Sequence, residues 1–74
     1  MKLKKGDVVL ITKDEQTLLD NYIPRLTIDA IQENNKGIVY SVNKYDCEVR
    51  TALGIWNFHF AMLTPTGEKE DEEN

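Results

Sequence analysis

The sequence predicts an all-β domain, a small five-stranded barrel, on three observations. Short runs of β-branched and aromatic residues recur at close spacing, separated by Gly, Asn and Asp turn signals. Two of these runs alternate strictly between their faces, the period of a half-buried strand. With 74 residues the chain makes one small domain, and closing a five-stranded sheet on itself removes the open edges that such a sheet would present.

Taken in order, Gly6-Asp7 is a turn pair, and Val8 to Thr12 is a first strand with apolar residues on both faces. Lys13-Asp14-Glu15-Gln16 ends it. Residues 17 to 35 carry Leu18, Leu19, Ile23, Leu26, Ile28, Ala30 and Ile31 around Pro24. Leu26, Ala30 and Ile31 fit a helical face, but β-branched Thr27 and Ile28 weaken it. The expectation here is a long loop holding one turn of helix or a short strand. Asn34-Asn35-Lys36-Gly37 is a strong turn signal, and Gly37 to Asn43 is the second strand. Asn43-Lys44-Tyr45-Asp46 turns into a third strand, Asp46 to Thr51, with Cys47, Val49 and Thr51 on one face and Asp46, Glu48 and Arg50 on the other. A second turn ends on Gly54, which supplies a positive φ. Ile55 to Phe60 then places Trp56, Phe58 and Phe60 opposite Ile55, Asn57 and His59. Ala61 to Pro65 is a short closing turn and strand ended by Pro.

Charge is uneven along the chain. Residues 1 to 67 hold eight basic and eight acidic side chains, so the net charge of −4 arises in Glu68-Lys69-Glu70-Asp71-Glu72-Glu73. That run lacks apolar residues and reads as a disordered acidic tail, residues 67–74, behind a folded domain of residues 1–66. Val8 to Ile11 is too short for a signal-peptide core and nothing approaches a membrane span. With a single cysteine, Cys47, the expected setting is a reducing cytoplasm, and the chain is expected to be a monomer.

One strand, a long loop, three tightly joined strands and a closing strand form the plan of an SH3-like barrel. Lys5-Gly6-Asp7-Val8-Val9, Lys36-Gly37-Ile38-Val39, Tyr45-Asp46-Cys47-Glu48-Val49 and Phe60-Ala61-Met62-Leu63-Thr64-Pro65 resemble the small SH3-like barrels encoded by phages and prophages, the YorP type. The same segments are similar to KOW and Mind bomb repeat barrels. The resemblance covers residues 5 to 65 in layout and rests on short motifs. It implies a non-enzymatic binding domain, in the phage case one whose partner is a host protein. The polyproline-binding class is not implied. Its Ala-Leu-Tyr-Asp-Tyr segment and Trp-Trp pair are replaced here by Val8-Val9-Leu10-Ile11-Thr12 and a lone Trp56.

The residue inventory disfavours catalysis. Cys47 and His59 cannot by themselves complete a structural zinc site. The sole serine, Ser41, lies in a strand without a nucleophile elbow, and the glycines stand singly, with no phosphate-cradling loop. No catalytic residue, metal or cofactor is expected. Cys47 reads as core, His59 as surface, Phe58 as core, and Trp56 as either.

The expected partner is a protein, engaged by Tyr22, Ile23 and Arg25 in the long loop, the specificity loop of SH3-like barrels, with Tyr45 and Trp56 beside them. Tyrosine and tryptophan are favoured at interfaces, being large, stiff and half polar. The acidic tail would steer the chain toward a basic partner. The alternative is a KOW-like nucleic-acid binder, with Lys2, Lys4, Lys5, Lys36 and Lys44 forming a stripe at one end of the barrel and Tyr45 or Trp56 stacking on bases. A neutral body with an acidic end opposes phosphate binding.

Overall fold

A computed structural model describes residues 2–70. Five strands form one open antiparallel sheet: β1 (Asp7–Ile11), β2 (Lys36–Val42), β3 (Asp46–Thr51), β4 (Gly54–His59) and β5 (Leu63–Lys69), in the spatial order β4-β3-β2-β1-β5. The protein is therefore mostly β, with β4 and β5 at the two edges. Between β1 and β2 stand two helices, α1 (Glu15–Asp20) and α2 (Arg25–Glu33). A 3-10 turn, Phe60–Met62, leads from β4 into β5.

Alternation puts one face of the sheet in the core. Val9 and Ile11 of β1, Val39 of β2, Cys47 and Val49 of β3, Phe58 of β4 and Leu63 of β5 share a buried cluster with Leu18 of α1, Ile28 and Ile31 of α2, and Ile23 between the helices. Phe58 and Cys47 are core, as their alternation required, whereas Trp56 and Phe60 pack at the margin of the cluster, half-buried. In the register, Val9 faces Gly37, Val39 faces Val49, and Cys47 faces Phe58. A bulge after Val39 sets Tyr40 and Ser41 against the single residue Glu48.

Gly37 carries a steric constraint of this face. A methyl group there would run into Val49 Cγ1 and crowd Ile11 Cδ1 at 3.2 Å. The missing side chain lets β1 and β3 close over β2.

The helices correct the long loop expected between the first two strands. Asp14 caps α1, its carboxylate accepting from Thr17 N at 3.0 Å and Thr17 Oγ1 at 2.6 Å, with Glu15 in the first turn. At its end Ile23 N donates to Leu18 O and Tyr22 N to Leu19 O. This is a Schellman closure, with the Leu18 and Ile23 side chains supplying its apolar contact. The residue in its left-handed position is Tyr22, φ 63°, rather than the usual glycine. Pro24 then starts α2 in the position where a missing N–H costs nothing. The buried face of α2 is Thr27, Ile28 and Ile31, while Leu26 is 74% exposed and Ala30 half-buried. The β-branched pair that argued against a helix is the part of it that is buried. Tertiary burial outweighs the few tenths of a kcal/mol of intrinsic propensity at each position.

The C-terminal boundary also moves. The expected tail began at residue 67, but β5 continues through Pro65 and Gly67 to Lys69. An edge strand tolerates Pro, and Gly67, at φ 87°, lies in the register shift that brings Lys69 opposite Asp7. Lys69 Nζ bonds Asp7 Oδ1 at 2.6 Å and Lys4 N donates to Asp7 Oδ2 at 2.9 Å. Those bonds hold the Asp7 carboxyl below its ordinary range, the Lys69 contact most of all. Glu70 N adds a bond to Gly6 O at 2.7 Å. The rest of the expected tail, residues 71–74, lies outside the described residues. No helix among those residues is long and apolar enough to cross a membrane.

Gly37→Ala is expected to destabilise the fold by about 1–3 kcal/mol, the cost of overpacking a dense core, read from the midpoint of urea unfolding.

Candidate functional site

Beside the edge strand β4 the chain forms a cleft of about 380 Å³. One wall is the α1–α2 turn, Asn21-Tyr22-Ile23; the other is β3 and β4, with Asp46 and Glu48 beside Trp56 and Asn57. The Schellman closure sets the first wall. It buries Ile23 in the core and turns Tyr22 outward, 92% exposed. The register sets the second, since Asp46 pairs with His59 and Glu48 with Asn57 on the face turned away from the core.

The polar groups of the cleft are held in place. Ser41 Oγ donates to Glu48 Oε1 at 2.6 Å, and Asn43 Nδ2 donates to Asp46 Oδ1 at 3.0 Å. Asn21 Nδ2 reaches across to the backbone carbonyl of Asn57 at 3.3 Å, tying the helical turn to the edge strand. Trp56 Nε1 is buried with no hydrogen-bond partner among the described residues, a state that costs about 1–3 kcal/mol for a polar group shut away from water. Among the described residues Asp46 and Glu48 are the only acidic side chains lining this cleft, and no Lys or Arg joins them. The cleft is an aromatic and acidic surface along a strand edge.

Of the five residues expected to bind a partner, Tyr22, Ile23 and Trp56 come together here. Tyr45 is next to Asp46 but points elsewhere, exposed, with Lys44 Nζ 5.4 Å from its ring centre. Arg25 is outside the cleft and serves the scaffold, bonding Glu15 of α1 at 2.7 Å and Asp29 one turn on at 3.4 Å. Alternation places Asp46, Glu48, Asn57 and His59 on the outer faces of their strands, but nothing local in the sequence joins them to Tyr22. The signal was the strand register, which pairs the two alternating runs once their turn is placed.

The lysine stripe does not assemble as expected. Lys36 opens β2 and Lys44 lies in the turn beyond its far end, Val42, so the length of the strand, about 20 Å at the usual rise, separates the two positions. Lys5 lies over the Tyr40 ring, 5.3 Å from its centre.

For chemistry, no group of three or more His, Cys, Asp or Glu could hold a metal ion among the described residues. Ser41 is engaged by Glu48. Cys47 is fully buried, and desolvation, with a smaller push from Asp46, raises its thiol to about 11. No family model, curated protein or solved structure matches the chain.

Cys47 is therefore expected to resist alkylation at pH 8 in the folded protein and to react once unfolded. An exposed thiol ionises near pH 9.0 and the folded one near 11. The contribution of Cys47 is accordingly constant below pH 9 and lost as pH rises from 9 to 11. Urea midpoints across that range, compared with Cys47→Ala, measure it.

Proposed function

We propose that the chain is a non-enzymatic protein-interaction module that docks its partner in the cleft between the α1–α2 turn and β4. The observation that carries this reading is Tyr22. A bulky L-residue in the left-handed region costs roughly 1–2 kcal/mol, and glycine is the residue that avoids the cost at this position. Here the strained position holds a tyrosine that is almost wholly in solvent, facing a cleft walled by Trp56. Strain kept at an exposed aromatic fits selection for contact rather than for folding. Asp46 and Glu48 give the cleft the charge that complements a basic partner surface. The open edge of β4 suits an extended segment of that partner.

The strand order β4-β3-β2-β1-β5, with a 3-10 turn before the last strand, supports reading the fold as an SH3-like barrel whose specificity loop has become α1 and α2. On the resemblance to phage and prophage barrels, the partner is a host protein in the cytoplasm, bound by a monomer.

Two measurements test the cleft. Tyr22→Gly is expected to gain about 0.5–1 kcal/mol in urea unfolding, strain released less the entropy glycine adds to the unfolded chain. The same variant is expected to lose a partner that wild-type protein retains from nuclease-treated lysate. Retention of that partner by Tyr22→Gly removes Tyr22 from the site. Dependence of the wild-type capture on intact nucleic acid turns the reading to the nucleic-acid alternative.

A further inference from the structure

A second cavity, about 480 Å³, opens where α2 meets the sheet. Val8 and Ile38 of the sheet, Ala30 of α2 and Ala52 of the β3–β4 turn give it aliphatic walls, and no aromatic ring lines it. Lys36 and Arg50 stand at its rim with Glu33 and Glu68. It is separate from the Tyr22–Trp56 cleft and does not rest on that reading.

The chain already places carboxylates on both cations. Glu68 Oε1 lies 3.5 Å from Lys36 Nζ, and Glu70 Oε2 lies 2.5 Å from Arg50 Nη2. Glu68 and Glu70 are alternate residues of an extended segment, so their side chains leave the backbone on the same side. All four side chains are about half exposed. Such pairs hold weakly and exchange readily.

We infer that this cavity docks an extended acidic segment of a protein partner, whose alternate carboxylates take Lys36 and Arg50 in place of Glu68 and Glu70. The occupant is named by what sits there in cis: two carboxylates at strand spacing, beside an aliphatic pocket that receives an apolar side chain. A nucleic acid fits less well, because the cavity has no ring on which a base could stack. The chain's own strand end competes as a tethered ligand at high effective concentration. It masks the site, and removing its charge unmasks it.

The probe is a fluorescein-labelled eight-residue peptide of alternating Glu and Leu, titrated at low salt and read by fluorescence anisotropy. Glu68→Gln/Glu70→Gln is expected to bind at least tenfold tighter than wild type, with the gain shrinking as salt rises. Adding Arg50→Gln to that variant is expected to abolish the gain, and Tyr22→Gly to leave binding unchanged, which separates this site from the β4 cleft. Thermal melting verifies that each variant folds; should the double variant fail to fold, Glu70→Gln alone makes the same comparison through Arg50. The inference is overturned by an absence of gain, by a gain that survives Arg50→Gln, or by a single-stranded oligonucleotide of equal charge binding the double variant as tightly as the peptide.

Discussion

Everything in this small protein depends on covering one face of a five-stranded sheet with fifteen residues of helix, six in α1 and nine in α2. Leu18, Ile23, Ile28 and Ile31 are the only helix and inter-helix side chains in the cluster that seals Val9, Val39, Val49 and Phe58 from water. Each fully buried aliphatic or aromatic side chain is worth about 1.5–3 kcal/mol, so losing this layer removes much of what holds a domain of this size together. Helices this short are marginal in isolation. They persist because Asp14 fixes one end of α1, the Schellman closure fixes the other, and α2 buries Thr27, Ile28 and Ile31 against the sheet. The cleft exists because the same closure that drives Ile23 inward leaves Tyr22 outside.

The sheet handles its two edges differently. Along β5 the edge is broken by Pro65, shifted in register near Gly67 and charged at Glu68, Lys69 and Glu70, features that discourage pairing with another chain. Along β4 there is neither a proline nor a Lys or Arg, and one carbonyl is taken by Asn21. The protected edge also carries the carboxylates that cover Lys36 and Arg50, whereas the less guarded edge borders the aromatic cleft.

Strands were the legible part of the sequence. Asp46 to Thr51 alternates over its whole length and has the bounds expected of it, and the turns around Asn43 and Gly54 form where side-chain and φ preferences put them. The helices were less legible for specific reasons. α1 is only six residues long, and the left-handed position that follows it holds a tyrosine where a glycine would have marked the stop. In α2 the apolar face is Thr27, Ile28 and Ile31, residues whose branching argues for strand when their burial is unknown. The extension of β5 was hidden by Pro65 and by a run of charges, because nothing local shows that Asp7 and Gly6 wait to bind Lys69 and Glu70. For the site, aromatic character pointed to Tyr22 and Trp56. Arg25 and Tyr45 were drawn in by proximity in sequence, which does not reveal that an ion pair holds one and that the other turns away.

The position of β1 has a consequence for the order of folding. β2, β3 and β4 form a meander of near neighbours, joined by short turns, and such contacts close early and fast. β1 pairs with β2 across both helices, and with β5 across more than fifty residues, as in the match of Val9 with Pro65. Its two hydrogen-bonding sides are thus satisfied late, both by partners that follow it in the chain, the second only at the C-terminal end of the sheet. A nascent chain that has not yet released Leu63 to Lys69 holds a hydrophobic strand, Val8 to Ile11, with one side open. During synthesis that strand is the segment most exposed to mispairing, and the arrival of β5 ends its vulnerability.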